Sequence, residues 1–67
     1  MRPVTFSELT RLYFEDYSAV WGRKQMLRLM QANPVLKAEF EGVPYRHRSF
    51  RFTPRQIDLI YEQLGEP

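Results

Sequence analysis

The sequence predicts a small α+β domain in which two helices are followed by a two-stranded hairpin and a third helix. Two capping boxes mark helix starts near the ends of the chain, and between them apolar and charged residues alternate around a Gly-Val-Pro turn. The 67 residues suffice for one domain, which we expect to span residues 1–67. A chain of this size buries only about 60% of its unfolded surface, so its ten aromatic residues matter to the core.

The first helix is predicted over residues 6–14. Thr5 and Glu8 have the spacing of a capping box, in which each side chain accepts a hydrogen bond from a backbone N–H that the helix leaves unpaired. The apolar residues that follow recur at helical spacing and continue an apolar stripe: Leu9, Leu12 and Tyr13.

A second helix is predicted to begin close to Gly22 and to end before Asn33-Pro34, because the residue before a proline is displaced from the α region. Ser18 could instead cap a longer helix, but a glycine inside a helix costs about 1 kcal/mol relative to alanine. At 100° per residue this helix has an apolar side of Met26, Leu27, Leu29 and Met30, and a polar side of Lys24, Gln25, Arg28 and Gln31.

The hairpin is predicted from a change of period after Pro34. Leu36, Ala38 and Phe40 alternate with charged residues, as in a half-buried strand, and residues 45–52 form a second strand that is rich in arginine. The turn lies at residues 42–44, because a proline has no N–H to donate to a ladder.

The last helix has the clearest boundaries. Thr53 is the predicted N-cap, Pro54 the first helical residue, Gln56 the partner in a capping box and Gly65 the C-terminal cap. Its apolar stripe is Ile57, Ile60, Tyr61 and Leu64.

The net charge of +2 conceals a strong segregation along the chain. Residues 1–21 carry −1 and residues 56–67 carry −3, whereas residues 22–55 carry eight Lys and Arg against two Glu, which is +6. A basic region between acidic ends suits a polyanionic partner. The alternative is a solvated face of ordinary mixed charge.

The composition argues against several classes of protein. With no cysteine, the chain has no disulfide framework, zinc finger or thiol nucleophile, and its single histidine, His47, has no Ser/Asp set around it. We therefore expect no enzymatic activity, no cofactor and no metal. Neither a membrane-spanning apolar stretch nor a secretory signal is present, so a cytoplasmic protein is expected.

The element order predicts a helix-turn-helix followed by a wing, which is a winged helix-turn-helix domain. Residues 46–60, Arg-His-Arg-Ser-Phe-Arg-Phe-Thr-Pro-Arg-Gln-Ile-Asp-Leu-Ile, resemble the junction between wing and last helix in excisionase-like and MerR-like domains. Residues 5–12 resemble the opening helix of these domains, and residues 22–33 resemble their recognition helix.

The absence of a long dimerisation helix after residue 67 makes the chain similar to the small excisionases (recombination directionality factors) of bacteriophages and mobile elements. This resemblance implies a non-catalytic architectural protein of the bacterial nucleoid. Such a protein binds and bends double-stranded DNA at an attachment site and directs an integrase toward excision. One alternative is a small transcriptional regulator, and another is a protein-interaction module, such as an antirepressor or host-factor inhibitor, that uses exposed aromatic residues near positions 14–21.

The candidate DNA contacts lie on the second helix and on the wing. Arginine and lysine side chains reach guanine edges in the major groove and glutamine pairs with adenine, while arginine favours narrow minor grooves. We expect Phe14 and Tyr17 to be exposed and Trp21 to be part of the core. Cooperative self-association on DNA is expected if the acidic ends of one copy meet the basic middle of the next. The predicted DNA-binding residues are Arg23, Lys24, Gln25, Arg28, Gln31, Arg46 and Arg48.

Overall fold

The computed structural model describes residues 3–67 and shows an all-helical protein. Its four helices are α1 (Phe6–Tyr13), α2 (Ala19–Ala32), α3 (Pro34–Glu39) and α4 (Pro54–Leu64), and consecutive helices pack against one another. Residues 3–67 contain no strand. The predicted α+β class, with its hairpin wing, is therefore wrong. No helix in this part of the chain is long and apolar enough to span a membrane.

The first and last predicted helices are confirmed, together with their caps. At α1 the Thr5 hydroxyl accepts from Glu8 N, and the Glu8 carboxylate accepts from Thr5 N at 3.1 Å. At α4 the Thr53 hydroxyl accepts from Gln56 N, and Gln56 Oε1 accepts from Thr53 N at 2.9 Å. These interactions join residues three apart, so the sequence is sufficient to locate them.

Helix α2 begins three residues before the predicted start at Gly22. Ser18 is its N-cap and accepts a hydrogen bond from Trp21 N at 3.2 Å. Gly22 is buried where α2 crosses α1, and a Cβ atom placed on it would lie 3.1 Å from Thr10 Cγ2 and 3.2 Å from Phe14 Cβ. The close approach of the two helices is therefore the reason that a helical glycine is tolerated here.

The predicted first strand is helix α3. The Asn33 side chain accepts from Leu36 N at 3.0 Å as an N-cap, and Pro34 is the first residue of the helix, so the dipeptide that ends α2 also begins α3. Leu36 and Phe40 are both buried and lie four residues apart, which fits a helical face as well as a strand, whereas Ala38 is exposed. A short apolar pattern of this kind cannot distinguish the two periods.

The predicted second strand is a series of turns. His47 N donates to Pro44 O and Phe50 N donates to His47 O, so the backbone hydrogen bonds of this segment are largely local. Further along, Phe52 N donates to Val4 O at 2.7 Å. Because α3 occupies the place of the predicted partner strand, residues 45–52 have no hairpin ladder to join.

The core lies between all four helices and includes aromatic residues from residues 45–52, the turn segment. Tyr45 packs against Phe6, Phe40 and Phe52 with ring centroids 5.4–6.5 Å apart. Trp21, which was predicted to be a core residue, is 42% exposed. The buried apolar residues are Phe6, Leu9, Met26, Met30, Leu36, Phe40, Tyr45, Phe52, Ile57 and Ile60.

Candidate nucleic-acid interface

The exposed face of α2 carries three of the seven predicted contacts. Gly22, Met26 and Met30 form its buried stripe, at intervals of four residues. Lys24, Arg28 and Gln31 are exposed, and their spacing of four and three residues places them on a common face away from that stripe. Helix α2 contains three basic residues and no carboxylate, so no acidic side chain on α2 competes with a polyanion.

Two of the predicted residues on α2 lie outside this face. Gln25 is half-buried. Arg23 is exposed but lines a groove between α1 and the start of α2, which it shares with Arg11 and Tyr17. Arg23 therefore lies at the edge of the face that carries Lys24 and Arg28.

The turn segment presents Arg46 and Arg48, which are both exposed. Ser49 N donates to His47 Nδ1 at 3.2 Å, which stabilises the turn between the two arginines. Arg51 Nη1 donates to Arg48 O at 3.1 Å. Local side-chain to backbone hydrogen bonds thus hold the segment that was predicted to be a wing.

A groove of about 450 Å³ connects α2 with the turn segment. Gln31, Lys37 and Arg46 line it together with Glu41, and Leu36 and Phe40 are among the buried residues beneath. The structure thus brings Gln31 and Arg46 to the same groove, while Arg48 does not line it. Lys37 was not among the predicted DNA-binding residues, because the predicted strand placed it on the outer face of the hairpin.

An aromatic cluster borders the other end of the α2 face. The ring centroids of Tyr17 and Trp21 are 4.4 Å apart, and Phe14 lies 5.7 Å from Trp21 and 6.2 Å from Tyr17. Tyr17 is 57% exposed, as expected, and Trp21 is exposed too, whereas Phe14 is half-buried. Ser18 was the signal that could have shown this, since a helix capped there places Trp21 on the same face as Lys24 and Arg28.

The ionisable groups with shifted pKa values lie outside this face. Hydrogen bonds from Val4 N and the Thr5 hydroxyl hold the pKa of Glu8 below its ordinary value. Burial raises the pKa of Tyr13 to about 12. Among residues 3–67 no group of three or more His, Asp and Glu side chains could hold a metal ion. The exposed groups of the α2 face are cations, an amide and an aromatic ring.

Comparison with known proteins places the chain in a family. Searches of curated proteins and of solved structures found no match. One family model does match. Its match extends over residues 1–67, and the chain therefore belongs to the DUF4248 family, a domain of unknown function.

Proposed function

We propose that this protein binds double-stranded DNA and catalyses no reaction. The observation that carries the proposal is the exposed face of α2, on which Lys24, Arg28 and Gln31 lie together without an acidic neighbour on that helix. Cations placed in this way release counterions from the phosphate backbone, which supplies most of the affinity of a small DNA-binding protein.

In the proposed complex α2 enters the major groove. Its 14 residues span about 21 Å, and the groove is about 12 Å wide and admits a helix. Arg28 is placed to contact a guanine edge and Gln31 an adenine edge. Arg46 and Arg48 then contact the flanking phosphates from the turn segment, a role that requires exposed cations but no β-hairpin.

Within this proposal, the more specific role is that of an excisionase. The resemblance implied it together with a winged helix that the structure does not contain. Binding and bending of DNA beside an integrase attachment site, with recruitment of the integrase, would support it. Binding at a promoter without bending would instead support a transcriptional regulator. Either role places the protein in the bacterial cytoplasm, with DNA.

Fluorescence anisotropy with a labelled duplex at about 50 mM salt tests the proposal. We expect Arg28→Ala to weaken binding by roughly 5- to 150-fold, because a base contact contributes about 1–3 kcal/mol. Arg48→Ala is expected to weaken binding to all sequences alike. The matched control is Arg55→Ala, which removes the same charge beside Asp58 and Glu62 and is expected to change the affinity little.

Unchanged affinity in Arg28→Ala and Arg48→Ala would remove both contact assignments. If the protein bound no duplex even at this salt concentration, DNA binding itself would be refuted. The exposed aromatic residues would then favour the alternative of a protein-interaction module.

A further inference from the structure

The pair formed by Tyr17 and Trp21 has no evident use in duplex recognition. A duplex keeps the faces of its bases stacked inside and presents only base edges to a protein. Tyr17 is 57% exposed and Trp21 42% exposed, and their ring centroids are 4.4 Å apart with 32° between the ring planes. Exposed aromatic rings of this kind match the faces of unpaired bases, which stack on aromatic side chains with little dependence on sequence.

The cations of α2 continue from this pair along the same helix face. Lys24 lies three residues and Arg28 seven residues after Trp21, so all three share one side of the helix. The axial distance from Trp21 to Arg28 is about 10 Å, comparable to a few nucleotide steps of about 3.4 Å. The rings of Tyr17 and Trp21 could therefore contact bases while Lys24 and Arg28 contact phosphates a few nucleotides along the same strand.

We propose that the Tyr17–Trp21 pair stacks against unpaired bases of single-stranded DNA whose phosphates contact Lys24 and Arg28. This inference rests on the proposed function, because it assigns a second DNA substrate to the same face. Charge favours a DNA strand over an apolar protein surface, since α2 contains basic residues and no carboxylate. Glu15 and Asp16 precede the pair in the turn after α1, so the strand runs from the pair toward Arg28.

The half-buried Phe14 keeps the pair in place from below. Its ring meets those of Tyr17 and Trp21 at 65° and 84°, and it packs against the core. Edge-to-face contacts of this kind stabilise aromatic clusters beyond the burial of their area. The stacking surface is thus supported by Phe14, the C-cap of α1, and does not have to be ordered by the ligand.

The intrinsic fluorescence of Trp21, the single tryptophan of the chain, tests the inference directly. We expect oligo(dT) of roughly 16 nucleotides, at the upper end of the site sizes of small single-strand binding domains, to quench this fluorescence to saturation. A duplex of the same length is expected to bind with little quenching. Tyr17→Ala and Trp21→Ala, measured by anisotropy of labelled oligo(dT), are expected to weaken binding by about 5-fold or more each.

Val20→Ala is the control, because this residue is 68% exposed on the same helix turn and has no ring. Its affinity for oligo(dT) should equal that of the wild type, and circular dichroism should show the same helix content in all variants. If the protein binds duplex DNA but oligo(dT) does not quench Trp21, the inference is overturned and the proposed function stays intact. The same holds if the wild type and both ring variants bind oligo(dT) with equal affinity. Failure to bind either DNA overturns both.

Discussion

At the scale of single residues, Tyr13 connects the end of the chain to α1. Its hydroxyl donates a hydrogen bond to Gly65 O, just after α4, and its ring contacts Tyr61 edge-on with centroids 6.4 Å apart. Burial raises the pKa of Tyr13 to about 12, with smaller contributions from Tyr61 and Glu66. The folded state therefore favours the neutral phenol more strongly than the unfolded state does.

We expect Tyr13→Phe to lower the free energy of unfolding at pH 7 by about 1 kcal/mol, because it removes this hydrogen bond. A raised pKa stabilises the fold below the ordinary tyrosine pKa of about 10, and that contribution is lost as the pH rises toward 12. Urea denaturation at a series of pH values should therefore show that the free energy of unfolding falls between about pH 10 and 12. This fall should be smaller in Tyr13→Phe than in the wild type. Tyr17→Phe, at an exposed position, is the control, and equal pH profiles for wild type and Tyr13→Phe would contradict the assignment.

At the scale of helices, the crossing of α1 and α2 depends on Gly22. A Cβ atom added to Gly22 would lie 3.1 Å from Thr10 Cγ2 and 3.2 Å from Phe14 Cβ across this interface. Phe14 Cβ is fixed by the backbone and cannot rotate away. Thr10 is itself almost completely buried, and its hydroxyl oxygen has no hydrogen-bond partner, so it is held there by packing.

Two opposing effects determine the outcome of Gly22→Ala. Alanine should add about 1 kcal/mol of helix propensity, whereas overpacking at a tight contact costs about 1–3 kcal/mol. Because the Phe14 contact cannot relax by a rotamer change, we expect a net loss of stability in urea denaturation. Ala38→Gly, at an exposed position in α3, measures the propensity effect alone. A Gly22→Ala protein more stable than the wild type would show that the helices separate easily.

At the scale of the whole molecule, the fold separates the two signs of charge only in part. Asp58 and Glu62 of α4 lie beside Glu39 of α3 in a groove that also contains Arg55. The other cations of the basic middle segment lie on α2, on α3 and in the turn segment. The predicted cooperative self-association would bring this groove of one copy, with its Glu39, Asp58 and Glu62, into contact with the α2 face of the next copy.

The salt dependence of DNA binding follows from this distribution. If four to six cations contact phosphates, the logarithm of the binding constant should fall with the logarithm of salt concentration with a slope of about −3.6 to −5.4. Anisotropy titrations over a range of salt concentrations measure this slope. Lys24→Ala should make it less steep by about 0.9, and Arg55→Ala should leave it unchanged. A slope near zero would show that phosphates are not the partner.

The sequence by itself determined the features that depend on residues a few positions apart. The capping boxes at Thr5 and Thr53, the cap at Gly65 and the segregation of charge along the chain all belong to this group. Each involves neighbours in the chain, so no knowledge of the distant packing is needed. The polar character of α2 at Lys24 and Arg28 was predicted for the same reason.

Only the tertiary structure decided the rest. Leu36 and Phe40 fit a strand or a helix, and the exposure of Ala38 between them fits only the helix that the structure contains. Residues 45–52 needed a partner strand to become a wing, and the helical α3 left them with local turns. Trp21 is exposed because α2 buries the stripe of Gly22, Met26 and Met30 on another side of the helix. Strand pairing and burial depend on the packing of distant segments, whereas helix capping depends on neighbours in the chain.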